Sequence, residues 1–278
     1  MIIVGIIDDI YSYNWLGDRM DIGDYVTRKS YNNDIIFKII NIEDGIYYLY
    51  GVSVRLLADS LEDDLVICNK DSKNNEDKEY LDRINISLNE NRDDYFYLPG
   101  KILHIDSDSE YLNRCLKYYH NNKLKVYGIV EKEADMPYKI YNLLNQYHPN
   151  ILVITGHDAY YPKKGSKDDI TAYKNSANFI KTVKEARKYE SSHEKLIIIA
   201  GACQSDYEDL IKSGANFASS PKRVNIHALD PAVIAASMSL SDINSDVDIK
   251  EIILKTKYGK EGVGGIITKG TMYKGFPR

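Results

Sequence analysis

The sequence predicts an α/β fold in which a flavodoxin-like parallel sheet with flanking helices follows a small SH3-like β-barrel. From residue 100 onward, apolar runs of five or six residues alternate with segments of helical spacing, which is typical of βαβ units. Before residue 69, the apolar runs are separated only by short turns, which is typical of antiparallel strands. A polar, charge-dense stretch lies between these two regions.

The first predicted unit, the β-barrel, spans residues 22–69. Its strand segments are DYVTRKS, DIIFKIINI, IYYLYGVSVRLL and DLVICN, separated by turn pairs such as Asn-Asn and Asp-Gly. Four or five short strands in about 60 residues suit a small barrel. Arg28, Lys29 and Arg55 add scattered positive charge, so we expect this unit to dock a partner or a substrate.

Residues 70–97 are predicted to form a charged linker between the two units. The stretch KDSKNNEDKEYLDRINISLNENRDD is polar, which is typical of a connecting segment or of a solvated helix.

The second predicted unit spans residues 98–278 and contains the parallel sheet. Its strand-like runs are KILHID, KVYGIV, ILVIT and LIIIA. The segments that follow them, SEYLNRCLKYYH, MPYKIYNLLNQYH, AYKNSANFIKTVKEARKYE and YEDLIKSG, have helical spacing. Residues 216–219 are a candidate fifth strand. Continuous Ile, Leu and Val runs are typical of strands that are covered on both faces.

Composition narrows the class of protein. The chain has 278 residues, 44% of them hydrophobic, and a formal net charge of -5, so we expect a soluble protein that binds neither nucleic acid nor membranes. The apolar start MIIVGII lacks a basic region, and no apolar run has the length of a membrane span. Three widely spaced cysteines argue against disulfides and metal sites, and we expect no cofactor. A cytoplasmic location follows.

A histidine and a cysteine follow two consecutive predicted strands at equivalent positions. Gly156 and His157 come after ILVIT, and Ala202 and Cys203 come after LIIIA. Sites in open α/β sheets form beyond the carboxyl ends of the strands, and neighbouring strands lie about 4.8 Å apart. A nearby imidazole lowers the pKa of a thiol and later protonates the leaving amine. The pattern predicts a cysteine peptidase with Cys203 and His157 as its catalytic pair, although a lone Cys or His is more often structural.

Other interpretations remain open at this point. His227 precedes a helical run and is a rival base. A non-proteolytic thiol amidohydrolase would use a G-x-C-x-G turn with a later His, whereas here position 205 is Ser and the His comes first. A receiver-like scaffold module would need an Asp at the end of the third strand, where Asp158 is the candidate, and Cys203 would then be idle.

The order of these residues resembles the caspase-like cysteine peptidases, in which an Ala-Cys nucleophile follows its His by about 50 residues. His157 precedes Cys203 by 46 residues. The resemblance implies a caspase-like sheet and an oxyanion hole in which the amide of Cys203 is the first donor and Gly156 a candidate. In that group a Gly usually follows the His, whereas here Gly156 precedes it and Asp158 follows it.

A longer resemblance covers most of the chain. GDYVTRKSYNNDIIFKI, PGKILHIDSD, ILVITGHDAY, IIIAGACQSDYEDLIKSGANFASSPKRVNIHALDP and GVGGIITKG resemble the sporulation-specific YabG peptidases of endospore-forming bacteria. This resemblance implies a mother-cell cysteine endopeptidase that cleaves spore coat and cortex-associated proteins after Arg, with His157 and Cys203 as its catalytic pair. Family members typically begin just before the GD motif, so residues 1–19 look like an extension, with Met20 as a candidate start. In the domain division the N-terminal extension is taken as residues 1–21, up to the start of the predicted barrel.

Cleavage after Arg requires an acidic pocket near Cys203 that binds a guanidinium group. Asp106 is the first candidate, because it ends a strand that would lie beside the His-bearing strand. Asp108 and Asp158 are further candidates, with helix capping as the alternative role for Asp108. Ser219 belongs to a region that lines the substrate cleft in caspase-like folds, or is a turn residue.

Overall fold

A computed structural model of the chain describes residues 20–68, 80–84 and 95–277. Most of the expected N-terminal extension and most of the expected linker therefore lie outside the described residues. Within the described residues, a five-stranded antiparallel sheet and a six-stranded, mostly parallel sheet carry the fold, and two short strands pair separately. This confirms a mixed α/β fold with a mostly parallel sheet, flanked by helices, and an antiparallel sheet.

The antiparallel sheet is formed by the first part of the chain. Its strands are β1 Tyr25–Arg28, β2 Phe37–Glu43, β3 Ile46–Gly51, β4 Leu57–Leu61 and β5 Leu65–Ile67. Their order in the sheet is β4-β3-β2-β1-β5. The β2–β3 hairpin turns at Asp44 and Gly45, which both have positive φ, as an Asp-Gly hairpin turn requires. Alternate side chains such as Phe37, Ile39 and Leu49 point inward and fill a small apolar core.

The parallel sheet is formed by the second part of the chain. Its strands are β7 Ile102–Asp106, β8 Val126–Val130, β9 Ile151–Thr155, β10 Ile197–Ala200, β11 Phe217–Ser219 and β12 Val263–Gly265. Their order is β12-β11-β10-β9-β7-β8, and every pair except β11–β12 is parallel. The remaining strands, β6 Phe96–Leu98 and β13 Tyr273–Gly275, pair with each other. In this order β9 lies between β7 and β10.

Helices cover both faces of the parallel sheet. They are α1 Ser109–Asn121, α2 Met136–Tyr147, α3 Ser176–Tyr189, α4 Tyr207–Lys212, α5 Asp230–Leu240, α6 Ile249–Lys255 and the short α7 Gly259–Gly262. Helices α1, α5 and α6 pack on one face, and α2, α3 and α4 pack on the other. Because both faces are covered, β7, β9 and β10 are buried at every position, which explains their continuous apolar runs. No described helix combines the length and the apolar character that crossing a membrane requires.

A short helical segment, residues 80–84, also belongs to the core of the second unit. The side chains of Tyr80 and Ile84 are buried in the same apolar cluster as α1 and α5. The Tyr80 hydroxyl donates a hydrogen bond to Asp230 Oδ1 at 2.7 Å, at the start of α5. This part of the stretch expected to be a linker therefore packs against the parallel-sheet unit.

Candidate active site

The carboxyl ends of β7, β9 and β10 meet at one edge of the parallel sheet. His157 lies two residues beyond β9 and Cys203 three residues beyond β10, and these two strands are parallel neighbours. Gly201, directly after β10, has φ of +107°, a conformation that side-chain-bearing residues rarely adopt. This glycine lets the chain turn sharply between the buried strand and Cys203.

Asp108 and Glu133 hold His157 from its side chain and its backbone. The Nε2 atom of His157 lies 3.1 Å from Asp108 Oδ2, and its backbone N–H donates to Glu133 Oε1 at 2.9 Å. The other ring nitrogen, Nδ1, is buried and has no hydrogen-bond partner among the described residues. A Cβ atom at Gly156 would come within 2.6 Å of both Glu133 Oε1 and Ser107 Oγ. A larger residue at this position would have to displace the Glu133 carboxylate and the Ser107 hydroxyl from their present places.

Asp108 uses one carboxylate oxygen to cap helix α1 and the other to contact His157. Oδ1 accepts hydrogen bonds from the backbone N–H groups of Glu110 (2.9 Å) and Tyr111 (3.1 Å) and thereby caps α1, while Oδ2 faces His157. Burial alone would raise the pKa of Asp108, but the hydrogen bonds from His157 and Tyr111 outweigh it and lower the pKa to about 2. An ionised Asp108 can orient the imidazole and stabilise its protonated form.

The Cys203 side chain is completely buried. Its Sγ accepts a hydrogen bond from the N–H of Ile226 at 3.3 Å and donates to the Ile226 carbonyl at 3.8 Å. Burial raises the pKa of this thiol to about 12, and the hydrogen bond from the N–H of Ile226 and the positive charge of Arg55 oppose the rise. In this conformation the thiol is therefore protonated at neutral pH.

Tyr111 lies close to both candidate catalytic residues. Its ring centroid is 5.8 Å from that of His157 and 5.0 Å from that of Tyr50, on which it stacks. Burial raises the pKa of Tyr111, and a negative charge on Cys203 would raise it further. Cys203 is therefore close enough to Tyr111 for their charges to interact. His157 and Cys203 are brought to one region, but no hydrogen bond joins them in the described part of the chain. Catalytic hydrogen bonds are often long before substrate binds.

Asp158 is engaged within the loops of the site. Its Oδ1 accepts from the N–H groups of Ala159 (2.9 Å) and Asn175 (2.7 Å), and its Oδ2 accepts from the hydroxyls of Ser176 (2.5 Å) and Ser205 (2.9 Å). Burial raises the pKa of Asp158, although these hydrogen bonds act in the opposite direction. The carboxylate ties the loop after β9 to the start of α3 and to the loop after β10.

Asp106 is fully buried at the end of β7 and binds Arg55 of the antiparallel-sheet unit. Arg55 Nη1 donates to Asp106 Oδ2, and Nη2 donates to the carbonyl of Ala228 at 3.0 Å. Asp106 also accepts from Thr155 Oγ1 at 2.7 Å and from the N–H of Asp108 at 2.9 Å. The expectation that Arg55 adds to the surface charge of the first unit is wrong, because its side chain is completely buried.

Ser219 and His227 lie near the candidate pair. Ser219 is the last residue of β11 and is buried, and its Cβ is 3.2 Å from where a Cβ on Gly201 would be. His227 is also buried: its Nδ1 accepts from the N–H of Leu229 at 3.2 Å, and its ring packs edge-on against Tyr80 at 4.7 Å. These contacts suit a structural role for His227. The described residues contain no group of three or more His, Cys, Asp or Glu side chains placed to hold a metal ion.

Three residues of this site are missed by reading the sequence. Tyr111 is one turn into α1, where an apolar helix position looks like ordinary core. Glu133 lies in a charged loop between β8 and α2, which looks like solvated surface. Arg55 lies in the other unit, and its sequence neighbours carry no sign that it reaches Asp106.

Comparisons with known proteins agree on one group. A family model described as YabG peptidase U57 matches residues 21–277. A curated relative, the sporulation-specific protease YabG of Bacillus subtilis (strain 168), is 44% identical over 288 residues, which covers 93% of this chain and 98% of the relative. The family match spans the loops that carry His157 and Cys203.

Proposed function

The chain belongs to the YabG peptidase family, and from that premise we propose that it is a cysteine endopeptidase that cleaves proteins after arginine during sporulation. The main support is geometric: His157 and Cys203 follow neighbouring parallel strands, and Asp108 holds one nitrogen of the imidazole. The substrates we propose are spore coat and cortex-associated proteins. The site of action we propose is the cytoplasm of the mother cell.

The proposed mechanism uses the unpartnered ring nitrogen of His157. Nδ1 takes the proton of the Cys203 thiol, and the thiolate attacks the carbonyl carbon of the scissile bond. Asp108, ionised through most of the pH range, stabilises the imidazolium that forms. His157 then gives its proton to the leaving amine, and water hydrolyses the thioester and restores the thiol.

The oxyanion of the tetrahedral intermediate needs backbone donors. We propose the amide of Cys203 as the first donor. Its neighbours are already used, because the N–H of Ala202 donates to Ser205 Oγ at 2.9 Å and the N–H of Gln204 donates to Ser220 Oγ at 3.1 Å.

A second oxyanion donor would come from the loop after β9. The N–H of His157 donates to Glu133, so we propose Gly156 for this role.

Asp106 is our proposed carboxylate for the substrate arginine. Among the candidates, Asp108 is engaged with His157 and Asp158 with its surrounding loops, whereas Asp106 holds a guanidinium group in this structure. Ser219, buried beside Gly201, is proposed to line the same cleft.

We extend the proposal to the architecture. The parallel sheet, with its His-bearing and Cys-bearing strands adjacent at the centre, supports a caspase-like peptidase domain at residues 98–278. The five-stranded antiparallel sheet with its own core supports an SH3-like barrel at residues 22–69. Residues 70–97 would connect the two.

The direct test is cleavage of an arginine-containing protein, followed by mass spectrometry of the products. We expect wild type to cleave after arginine and Cys203→Ala and His157→Ala to be inactive. Cys68→Ala is the matched control, because Cys68 lies one residue beyond β5 of the antiparallel sheet, and it should retain activity. Cleavage that survives in Cys203→Ala would contradict the proposed nucleophile. Ammonia release from small amides without peptide cleavage would favour the thiol amidohydrolase.

A further inference from the structure

We propose that the segment from the last residue of β3 to the residue before β4, residues 51–56, is an internal ligand of the chain's own substrate cleft, with Arg55 in the place of the substrate arginine. We call this segment the covering loop. The inference rests on the proposed function, because it takes Asp106 as the group that binds a substrate arginine. It adds that the described conformation is a closed one, from which the covering loop must leave before a protein substrate can bind.

The side chain of Arg55 lies in a site built for a guanidinium group. It is completely buried, although it belongs to a loop of the antiparallel-sheet unit. Its contacts include the carboxylate of Asp106, the carbonyl of Ala228 at 3.0 Å and the ring of Tyr111, whose centroid is 5.1 Å from the guanidinium carbon. Nη2 also lies 3.6 Å from Cys115 Sγ, and Nε is buried with no hydrogen-bond partner among the described residues. A carboxylate, a carbonyl oxygen and an aromatic face all bind guanidinium groups favourably. Burying a charge at this depth is tolerated only because Asp106 pairs with it.

The backbone of the covering loop is also bound as an extended peptide would be. Val54 forms an antiparallel bridge with His227, and the N–H of Ala228 donates to the carbonyl of Ser53 at 3.1 Å. This is the pairing by which a peptide adds itself to an exposed backbone segment. The residues just before Arg55 therefore pair with the chain segment that follows β11, next to the candidate nucleophile.

Arg55 also comes close to Cys203 itself. Burial is the main influence on the thiol and raises its pKa, but the positive charge and the backbone of Arg55 act in the opposite direction. The arginine side chain therefore fills the proposed specificity site while its backbone lies near the proposed nucleophile. These are the two positions that a substrate arginine would have to take.

The loop has the shape of an inhibitor more than that of a substrate. The N–H of Gly51 donates to the carbonyl of Leu56 at 2.8 Å, and the N–H of Leu56 donates to the carbonyl of Val54 at 2.9 Å. The Tyr111 hydroxyl donates to the carbonyls of Gly51 and Val54. The chain thus turns back into β4 directly after Arg55, whereas a substrate would continue through the cleft beyond its arginine.

Closure by this loop accounts for the state of the catalytic pair. Cys203 is completely buried, and His157 Nδ1 is buried without a partner among the described residues. Because burial is the main cause of the raised thiol pKa, release of the loop would hydrate Cys203 and bring its pKa back toward the ordinary range. A substrate must also compete with an arginine that is tethered at high effective concentration. The covering loop would therefore keep the peptidase slow until it is displaced.

The test measures labelling of Cys203 in the full chain at neutral pH. Iodoacetamide needs only an accessible thiol, whereas an arginyl chloromethyl ketone needs an accessible thiol and an empty arginine site. Three forms are compared: wild type, Arg55→Ala and Arg114→Ala. Arg114 Nη1 donates to the carbonyl of Val52 at 2.7 Å, so its removal loosens the covering loop while Asp106 and the carbonyl of Ala228 stay in place. Cys68 serves as the internal reference for labelling.

We expect Cys203 of Arg55→Ala to react about tenfold faster or more than wild type with both reagents, as a shift from the closed population implies. Arg114→Ala should show a smaller increase, and Cys68 should be unchanged. If Arg55→Ala does not fold, which thermal unfolding would reveal, Arg114→Ala decides the question. Equal labelling of Cys203 in wild type and in the folded variants would overturn the proposal.

Cleavage of an arginine-containing protein by the same three forms separates this inference from the proposed function. Faster cleavage by Arg55→Ala than by wild type supports both. Cysteine-dependent cleavage that is equally fast in wild type and Arg55→Ala would support the proposed peptidase function and contradict the proposed role of the covering loop. Faster labelling without cleavage by any form rejects the peptidase and leaves the loop as a cover of Cys203.

Discussion

Asp108 Oδ2 lies 3.1 Å from His157 Nε2, while Oδ1 of the same carboxylate caps helix α1. One side chain therefore determines both where α1 begins and how the imidazole is oriented. Because Nε2 is occupied by Asp108, Nδ1 is the ring nitrogen that remains for proton transfer. In the proposed mechanism Asp108 is a positioning residue that acts through His157.

Asp108→Asn tests this role. Asn caps helices as well as Asp does, so the start of α1 should survive. An amide cannot stabilise a protonated His157, and we expect kcat to fall about 10²-fold or more with a small change in KM. Asp206→Asn is the control, because Asp206 caps α4 through the N–H of Asp209. Steady-state kinetics over a pH series measures both variants. Equal losses of activity in the two, with the wild-type pH profile unchanged, would contradict the positioning role of Asp108.

The low pKa of Asp108 predicts how stability changes in acid. Its pKa falls from 3.8 to about 2 in the folded chain, so the ionised form stabilises the fold above the unfolded value. That contribution is lost as the pH falls through the folded pKa. We expect wild type to lose stability more steeply than Asp108→Asn between about pH 4 and pH 2. Urea unfolding over this range measures the two slopes, and equal slopes would contradict the assignment.

The Arg55–Asp106 pair should respond strongly to the loss of one partner. Asp106→Ala leaves a buried guanidinium without its counter-charge, which we expect to lower the free energy of unfolding by about 3–5 kcal/mol. Replacing both residues with apolar ones should restore part of that loss. The exposed Lys188–Glu185 pair is the control, and Glu185→Ala should change stability by less than about 1 kcal/mol. Urea unfolding of wild type, the two single variants and the double variant measures the coupling energy between Arg55 and Asp106. A coupling energy near zero would show that the pair does not stabilise the fold.

Asp106→Ala has a second expected effect, on specificity. It should reduce cleavage of arginine substrates while Cys203 is alkylated at least as fast as in wild type, because Asp106 holds Arg55 of the covering loop and its loss cannot close that loop further. Cleavage rates with an arginine substrate and alkylation by iodoacetamide measure the two effects separately. Unchanged cleavage would remove Asp106 from the proposed pocket.

Asp158 should matter for stability through the loops that it joins. Asp158→Ala would leave buried donors unsatisfied, including the hydroxyls of Ser176 and Ser205, and we expect a loss of about 3 kcal/mol. Asp169→Ala is the control, because Asp169 accepts hydrogen bonds from Thr171 at an exposed turn, and it should lose about 1 kcal/mol. Thermal unfolding compares the two, and similar losses would contradict the joining role of Asp158.

Much of the fold could be predicted because the signals are local. The run ILVIT becomes β9 because an unbroken apolar run is stable only when both faces are covered. The Asp44-Gly45 pair forms the β2–β3 turn because both residues accept positive φ. The positions of His157 and Cys203 just beyond their strands follow from the same local patterns. The dual role of Asp108 was only half visible, because a helix cap can be read from sequence and a partner 49 residues away cannot.

The sequence by itself determined the alternation of strands and helices, the residues that follow each strand, and the family to which the chain belongs. Only the tertiary structure decided that Arg55 reaches Asp106, 51 residues along the chain, and that the loop around it pairs with His227. The physical reason is that apolar periodicity reports which face of an element is buried, whereas contacts between two units depend on how their surfaces fit. A buried ion pair between them leaves no periodic signal in either segment.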